Sequence, residues 1–417
     1  MSYTKMPKTT TRRRANPMSK LERRASRSLA SIYGLRMLGL FLILPVFSVY
    51  ARSLPDGHDR FLVGLALGIY GLTQACLQIP FGIASDRYGR KPVMIVGLVI
   101  FALGSFVAGV SHTLPMIILG RAVQGAGAIS AAISAMIADS TRPENRTRAM
   151  ALVGMTIGAS FIIALVLGPL LYRSISIPGM FLLTGVLATG AIFVVKFVVP
   201  DVNMGAFDSV QPENESASVF TPALLKLDFS IFALNFMQVA LFLVLPLALV
   251  DDLGIPVEGN WVVYLPVAVF SFMVAIPGII WAETRGYMRH GLIGAVALMG
   301  LSMLGFAAGY HNAVALVAAL FAFFVGFNLL EALLPSLVSR TAPPSRKGRA
   351  LGVYNTAQSL GLFAGGAVGG VAANAGGSAA VFLTCAALGL VWLVVASFVR
   401  PHGKPRADEA ESALAGG

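Results

Sequence analysis

The sequence predicts an all-α membrane protein whose twelve transmembrane helices form two similar six-helix bundles. Of its 417 residues, 56% are hydrophobic and only 12% are charged, about half of the roughly 25% found in soluble domains. The apolar segments reach the ~20 residues that a helix needs to cross a bilayer. They are too long and continuous for the ~10-residue alternating strands of a membrane barrel. Composition therefore excludes a soluble globular protein, and segment length favours helices.

The apolar segments divide the chain into two halves of six. We place the spans at 29–51, 61–84, 92–110, 114–138, 148–172, 178–199, 228–250, 260–282, 291–309, 313–338, 349–373 and 377–399. Between the sixth and the seventh, acidic residues stand among Asn, Ser, Pro and Gly, which is typical of a flexible linker. The predicted organisation is a basic tail (1–28), a first bundle (29–199), a linker (200–227), a second bundle (228–399) and a second tail (400–417).

Basic residues predict the orientation. With a cytoplasmic N-terminus, the inner segments hold 26 of the 31 lysines and arginines and the outer loops hold three, as the positive-inside rule expects. We therefore predict that both termini lie in the cytoplasm. The basic tail could also contact nucleic acid or anionic lipid, although the topogenic role is favoured. Cys76 and Cys385 fall within spans, so neither a disulfide framework nor a thiolate metal site is expected.

A charged turn between the second and third spans has a fainter copy in the second half. The segment 80–91 carries one acid, three bases and two glycines. The segment 277–286 keeps its proline, the acid six residues on and the glycine three residues after that. A second match joins 143–150 with 344–351, and the two offsets are 197 and 201 residues. The halves are therefore predicted to be a parallel repeat, an arrangement found in transporters.

These motifs resemble the signatures of the major facilitator superfamily, and the resemblance covers nearly all of 29–399. The loop motif, defined here as residues 82–91, matches the superfamily's signature through Gly82, Asp86, Arg87, Gly89, Arg90 and Lys91. A second signature is matched in the fourth span by Arg121, Gln124, Gly125 and Gly127. The core of the signature associated with proton antiporters is matched by Gly168 and Pro169, while Ala164, Leu171 and Tyr172 depart from that signature.

Segments 145–150 and 328–332 resemble the YajR-like branch of bacterial drug:proton antiporters. That branch carries an extra soluble C-terminal domain, which we expect to be absent because about 18 residues follow the last predicted span. The resemblance implies a multi-pass protein of the bacterial inner membrane that works by alternating access. It also implies protons as the coupling ion, with no other cofactor and no metal.

Three charged residues at the inner ends of the second to fourth spans are predicted to form a cluster. Arg90 can fold back to Asp86, four residues before it, because Gly89 permits a tight turn. Asp139 ends the fourth span at the same depth. Our hypothesis is that this cluster holds the two bundles in an outward-facing state, with Arg146 in the same gating set. The alternative is that these are topogenic charges that cap helix ends.

Three charges inside the predicted spans are candidates for proton coupling. Glu331 is the only acid placed well inside a span, and Arg36 lies at a comparable depth. A carboxyl group favours its neutral form in apolar surroundings and its charged form beside an arginine. The alternatives are a permanent Arg36–Glu331 ion pair or two residues that never meet. Arg121 either responds to the proton or satisfies backbone carbonyls near the fifth span.

Polar side chains at helical spacing predict a substrate cavity, because a polar face in hydrocarbon must point at protein or water. We expect about half of them to touch substrate and the others to join helices. The candidates are Tyr70, Gln74, Gln78, Gln124, Asn235, Gln238, Asn328, Asn355 and Gln358. A glycine stripe at 361, 365 and 369 favours close helix packing, with a gating contact to the loop motif as the alternative.

The leading functional prediction is a proton-driven exporter of small, largely apolar compounds, including drugs. One charge crossing ~100 mV is worth ~2.3 kcal/mol and a tenfold concentration ratio costs about 1.4 kcal/mol, so one proton sustains roughly a 50-fold gradient. The alternative is a symporter or facilitator for sugars or organic acids. A non-transporting scaffold or an integral-membrane enzyme is disfavoured, because no catalytic arrangement falls within the spans. We expect a monomer that meets a small-molecule substrate and membrane lipid, but no nucleic acid.

Overall fold

The computed structural model describes residues 17–201, 218–343 and 346–399, and these ranges contain helices without a strand. In chain order the helices are α1 (Lys20–Leu42), α2 (Phe47–Ala51), α3 (Arg60–Tyr88), α4 (Arg90–Gly109), α5 (Leu114–Ala126), α6 (Ser130–Ser140), α7 (Pro143–Phe197), α8 (Pro222–Asp251), α9 (Trp261–Thr284), α10 (Met288–Gly309), α11 (Ala313–Thr341) and α12 (Lys347–Ser397). The all-helical class predicted from the length of the apolar segments is confirmed.

Nine helical stretches in the described ranges are long and apolar enough to cross a membrane. Two of them, α7 and α12, have 55 and 51 residues. A straight helix of that length would measure about 75–85 Å, far more than the ~30 Å hydrocarbon core. Each is bent by non-helical backbone, at Ser176 in α7 and at Gly376 and Gly377 in α12. The arms on either side of each bend are long enough to cross separately; the count of twelve crossings stays a prediction.

Two helices begin six or more residues before the predicted spans. α1 begins at Lys20, where Ser19 and Glu22 form a capping box. α8 begins at Pro222, with the Thr221 side chain capping the helix. Proline in the first turn and a threonine cap are favourable signals for a helix start. The rest of the predicted linker, residues 202–217, and the tail residues 1–16 and 400–417 lie outside the described residues.

The two halves meet along α3 and the first arm of α12. A Cβ built on Gly64 would lie 2.1 Å from the Gly366 carbonyl oxygen, and one built on Gly71 would lie 2.3 Å from the Ser359 carbonyl oxygen. Such an approach is possible only because these positions lack side chains. At the end of this contact, the Asn374 side chain donates to Asp59 at 2.7 Å. The contact therefore covers the half of α3 that is remote from the loop motif.

Beyond Gly71 the two halves separate. A Cβ on Gly82 would meet only Ala131 of the same half, and a Cβ on Gly352 of α12 would meet nothing within 4 Å. No hydrogen bond joins residues 86–91 to α12 in the described part of the chain. The halves thus close at the end that carries Asp59 and open toward the loop motif.

Candidate functional site

The loop motif forms a charge cluster around one arginine. Gly89, with φ +97°, separates α3 from α4 and allows the chain to reverse. Arg90 Nε donates to Asp139 Oδ2 at 2.9 Å, and Arg90 Nη1 donates to Ser85 Oγ at 2.8 Å and to Asp86. The structure therefore brings together the three charges that the sequence analysis grouped.

This cluster lies entirely within the first half. The Asp86 side chain is 67% exposed, and Lys91 pairs with Asp201 at 2.6 Å. Arg87 lies over the Tyr88 ring, and Arg146 is half-buried in the first turn of α7. None of these contacts bridges the bundles in the conformation seen here, so the gating role stays a prediction. The alternative for the glycine stripe, a gating contact with the loop motif, is not made either, since Gly361 abuts Phe232 of α8.

In the copy of the motif in the second half, the basic partner of the acid comes from another helix. Gly286 has φ +74°, as Gly89 does in the first half. Glu283, which corresponds to Asp86, lies 3.7 Å from Arg340 and accepts from Ser336 Oγ at 3.3 Å. Both partners are on α11, more than 50 residues later in the chain. Sequence comparison of the two turns did not find this pair, because it looked for a base only within the turn.

Arg121 is fully buried and its guanidinium is bound by three oxygens. Nε and Nη2 donate to the backbone carbonyls of Ala66 and Leu67, each at 3.2 Å. Nη1 donates to Gln124 Oε1 at 2.7 Å, and Gln124 donates in turn to Ser105 Oγ at 2.9 Å. This geometry is that of a structural arginine. The carbonyls belong to α3, however, and not to the region of the fifth span where they were expected.

Arg36 lies in the same buried region of the first half. It donates to Ser130 Oγ at 2.8 Å and to Gln74 Oε1 at 3.1 Å, while its Nε has no partner. Its guanidinium lies 5.6 Å from the Tyr70 ring centroid, and that of Arg121 lies 5.1 Å from the same centroid. Arg36 forms no ion pair with Glu331 among the described residues. The alternative of a permanent Arg36–Glu331 ion pair is therefore not met in this conformation.

The predicted cavity residues fall into two groups. Asn328 donates to Ser271 Oγ at 3.1 Å and Asn235 donates to the Ile231 carbonyl at 3.0 Å, so these two amides are used within the second half. The Tyr70 hydroxyl and the Gln78 amide are buried without a hydrogen-bond partner. Gln238 is also buried, whereas Asn355 and Gln358 are half-buried on α12. Which of them meets substrate stays a prediction.

Gly168 and Pro169 lie in α7 against the break between α1 and α2. A Cβ on Gly168 would lie 2.6 Å from the Leu42 carbonyl oxygen and 2.8 Å from Pro45 Cγ. The glycine therefore permits close contact between α7 and the bend of the first predicted span. This is a packing role, and the contact holds no titratable group.

Aromatic rings from both halves meet at the centre of the molecule. Phe161 of α7 packs against Phe41 of α1, with ring centroids 5.0 Å apart. From the second half it contacts Phe242, Phe324 and Phe327, at 6.1, 5.9 and 5.6 Å. Edge and tilted contacts of this kind are favourable for aromatic pairs. The rings form an apolar cluster between the closed end and the open end.

Glu331 lies one helical turn beyond this aromatic cluster on α11, on the side of the loop motif. It is half-buried and has no hydrogen bond or ion pair among the described residues. Tyr354 of α12 lies within electrostatic range of Glu331 and of Asp228. The Tyr354 hydroxyl and Asp228 Oδ1 are both buried without a hydrogen-bond partner. Two carboxyl groups and a phenol thus share one region of the second half.

Sequence analysis missed Asp228 because it placed the start of the seventh span at that residue. The helix begins six residues earlier, so Asp228 lies inside α8 and is 7% exposed. The pair Thr221-Pro222 was the signal that could have shown this, since it marks a helix start.

A second missed acid, Glu22, joins α1 to the turn before α7. It is 1% exposed and accepts from Arg142 Nε at 3.1 Å and Arg142 Nη2 at 3.0 Å. Asn145 also donates to it at 3.3 Å. The Arg142 hydrogen bonds hold the pKa of Glu22 well below its usual range, with burial opposing them. The ion pair is structural, because it fixes α1 to the first half.

No group of three or more His, Cys, Asp or Glu side chains in the described ranges could hold a metal ion.

The family model of the Major Facilitator Superfamily matches residues 29–365 and, in an overlapping match, residues 227–416. The chain belongs to the Major Facilitator Superfamily. It is therefore a membrane transporter, and the resemblance stated from the motifs is confirmed.

Two named transport and resistance proteins are similar to this chain in sequence. The inner membrane transport protein YajR of Escherichia coli (strain K12) is 42% identical over 390 residues, which cover 91% of this chain and 84% of YajR. The multidrug resistance protein MdtH of Salmonella typhi is 26% identical over 343 residues, which cover 80% of this chain and 81% of MdtH.

Solved structures share the fold at low identity. The human organic anion transporter MFSD10 matches with a TM-score of 0.67 at 17% identity. The match covers 91% of this chain and 100% of the MFSD10 chain. A bacterial homologue of the human lysosomal transporter Spinster, in an inward-facing and occupied conformation, has a TM-score of 0.69 at 13% identity. That match covers 92% of this chain and 97% of the Spinster homologue's chain. These likenesses establish the major facilitator fold.

Proposed function

We propose that this transporter is a proton-coupled exporter of small, largely apolar compounds in the bacterial inner membrane. It works by alternating access, with protons moving opposite to the compound. The observation that carries the proposal is the unpaired position of Glu331 beside the aromatic cluster. The names of YajR, an inner membrane transport protein, and of MdtH, a multidrug resistance protein, agree with the location and with the substrate class.

The position of Glu331 suits a group that changes its proton occupancy during transport. No lysine or arginine of the described chain pairs with it, so no fixed cation holds its charge. A carboxyl group of this kind responds to hydration, because water stabilises the anion and an apolar enclosure does not. Glu331 lies on the open side of the aromatic cluster in this conformation. Movement of the two halves would change its contact with water.

The aromatic cluster supports the substrate class. Phe161 reaches rings on both halves, so a compound that crosses the molecule must displace or contact these rings. Aromatic surfaces bind apolar compounds with few directional demands. This agrees with a permissive site for largely apolar molecules.

The test is transport by the purified protein in vesicles that contain an internal pH dye. Candidate compounds are added one at a time, and compound and proton movements are recorded together. We expect the wild type to move protons opposite to the compound. Glu331→Gln should reduce the proton flux to that of protein-free vesicles, because the amide cannot carry a proton.

The matched control is Glu283→Gln, which removes a carboxylate of the same length from an exposed pair with Arg340. Its proton flux should stay close to that of the wild type. An unchanged proton flux in Glu331→Gln, with normal expression and size-exclusion behaviour, would exclude Glu331 as the coupling group.

A symporter for organic acids is the second candidate, and Arg36 favours it. This buried guanidinium has no acidic partner among the described residues and one free N–H. Such a group could bind a carboxylate substrate. The same vesicle assay separates the two functions, since symport requires protons and compound to move in the same direction.

A further inference from the structure

A basic groove lies between the first turns of α1 and the end of α7. Its volume is about 580 Å³, and no aspartate or glutamate lines it. The residues that line the groove are Lys20, Arg23, Arg24, Arg27, Ser28, Ser31, Val194 and Val198. The four bases are spaced i, i+3, i+4 and i+7, so they share one face of α1.

Hydrogen bonds fix the position of α1 beside α7, but only one of the four basic side chains in the groove takes part in them. Arg24 Nε donates to the Val198 carbonyl at 2.9 Å, which binds α1 to the end of α7. On another face of α1, Glu22 is bound by Arg142. Lys20, Arg23 and Arg27 are exposed, and their side chains have no hydrogen bond or ion pair within the described ranges. Three unpaired cations on two turns of helix repel one another, and an anion between them would relieve this repulsion.

The apolar side of the groove indicates what kind of anion fits. Val194 and Val198 line it, and Phe193 and Phe197 on the same end of α7 are 60% and 65% exposed. These residues end the predicted sixth span, where the hydrocarbon core gives way to the headgroup layer. A ligand with a phosphate and acyl chains would satisfy both the cations and the exposed rings. Basic pockets between transmembrane helices on the cytoplasmic side bind lipid headgroups in this way.

We propose that the basic groove binds an anionic phospholipid of the bilayer. Its phosphate lies among Lys20, Arg23 and Arg27, and its acyl chains run along the exposed end of α7. The site is separate from the aromatic cluster and from Glu331, so it does not depend on the direction or the coupling of transport.

The test is native mass spectrometry of the purified full chain with added lipids. Cardiolipin, phosphatidylglycerol, phosphatidylethanolamine and inorganic phosphate are titrated separately. We expect the two anionic lipids to bind more tightly than phosphatidylethanolamine, and inorganic phosphate not to compete with them. The variant Lys20→Gln/Arg23→Gln/Arg27→Gln keeps Arg24, and its affinity for anionic lipid should fall by about 100-fold, since each of the three bases near the surface contributes about fivefold.

The matched control removes three exposed bases elsewhere on the same predicted face, as Arg285→Gln/Lys347→Gln/Arg349→Gln. Equal loss in this control, unchanged binding in the groove variant, or displacement of lipid by inorganic phosphate would each overturn the proposal. If the triple variant does not elute as a folded species, Arg23→Gln and Arg27→Gln are measured singly. Each should then weaken anionic-lipid binding by about fivefold.

Discussion

Among the described residues, the buried guanidinium of Arg121 is surrounded by oxygen acceptors, and no carboxylate pairs with it. Two α3 carbonyls and the Gln124 amide oxygen accept its protons, and the Tyr70 ring lies beside it. Carbonyl dipoles and an aromatic face both stabilise a guanidinium. The planar fork of arginine is needed to reach three acceptors in different directions. Arg121 therefore connects α5 to α3 through two hydrogen bonds.

Arg121→Lys should destabilise the protein by about 3 kcal/mol, because a lysine cannot keep all three hydrogen bonds and leaves buried oxygens unsatisfied. The measurement is thermal unfolding in detergent, in which unfolding is detected as loss of the folded size-exclusion peak. Arg285→Lys is the control, because Arg285 is exposed. A variant that unfolds at the wild-type temperature but loses pH-dependent transport would instead favour the proton-responding role.

The loop motif shows how far residue patterns predict a site. The proximity of Arg90 to Asp86 could be expected from a spacing of four residues around a glycine turn. The contact with Asp139 followed from equal depth in the span. The partner of Glu283 could not be found in this way, because Arg340 approaches it from another helix. Pairs within one turn are local, whereas pairs between helices depend on packing that one sequence does not show.

Helix α12 has two glycine faces with different partners. Gly361 and Gly365 lie against Phe232 and Phe236 of α8. Gly366, one residue further, lies against α3, where an added Cβ would be 2.2 Å from the Gly64 carbonyl oxygen. The first face holds α12 within the second half, and the second face joins the two halves. A stripe of small residues predicts close packing, but it does not reveal which face crosses between the bundles.

Gly366→Ala should lower the stability of this conformation by about 1–3 kcal/mol, because the backbones of α3 and α12 must move apart. Gly352→Ala is the matched control on the same arm, since its Cβ would meet open space. That control should be neutral or stabilising by up to about 1 kcal/mol, as expected for Gly→Ala within a helix. Both are measured by thermal unfolding in detergent, and equal values for the two variants would contradict the assigned contact.

Polar contacts between the two halves close the end of the protein opposite to the loop motif. Arg52 after α2 forms a two-pronged pair with Asp251 at the end of α8, with distances of 2.8 and 2.5 Å. Ser48 Oγ donates to the Phe242 carbonyl at 3.0 Å, also between the halves. The all-helical major facilitator fold could be predicted from the sequence. The conformation could not, because alternating access requires two arrangements of the same chain with similar free energies.

The pair of Arg52 and Asp251 should hold the closed end in this conformation, so its removal should increase access to residues beneath it. A cysteine at Ser48, which is 2% exposed, reports this access in a chain whose two native cysteines are replaced. Since the pair is partly exposed and such pairs contribute about 0.2–1 kcal/mol, Arg52→Ala should raise the rate of labelling by an impermeant thiol reagent up to about fivefold. Asp252→Ala is the control, because Asp252 pairs with His311 within the second half and its loss leaves the contact between halves intact. The exchange Arg52→Asp/Asp251→Arg should restore slow labelling, whereas fast labelling of the exchanged pair would show that the charges do not hold the two halves together.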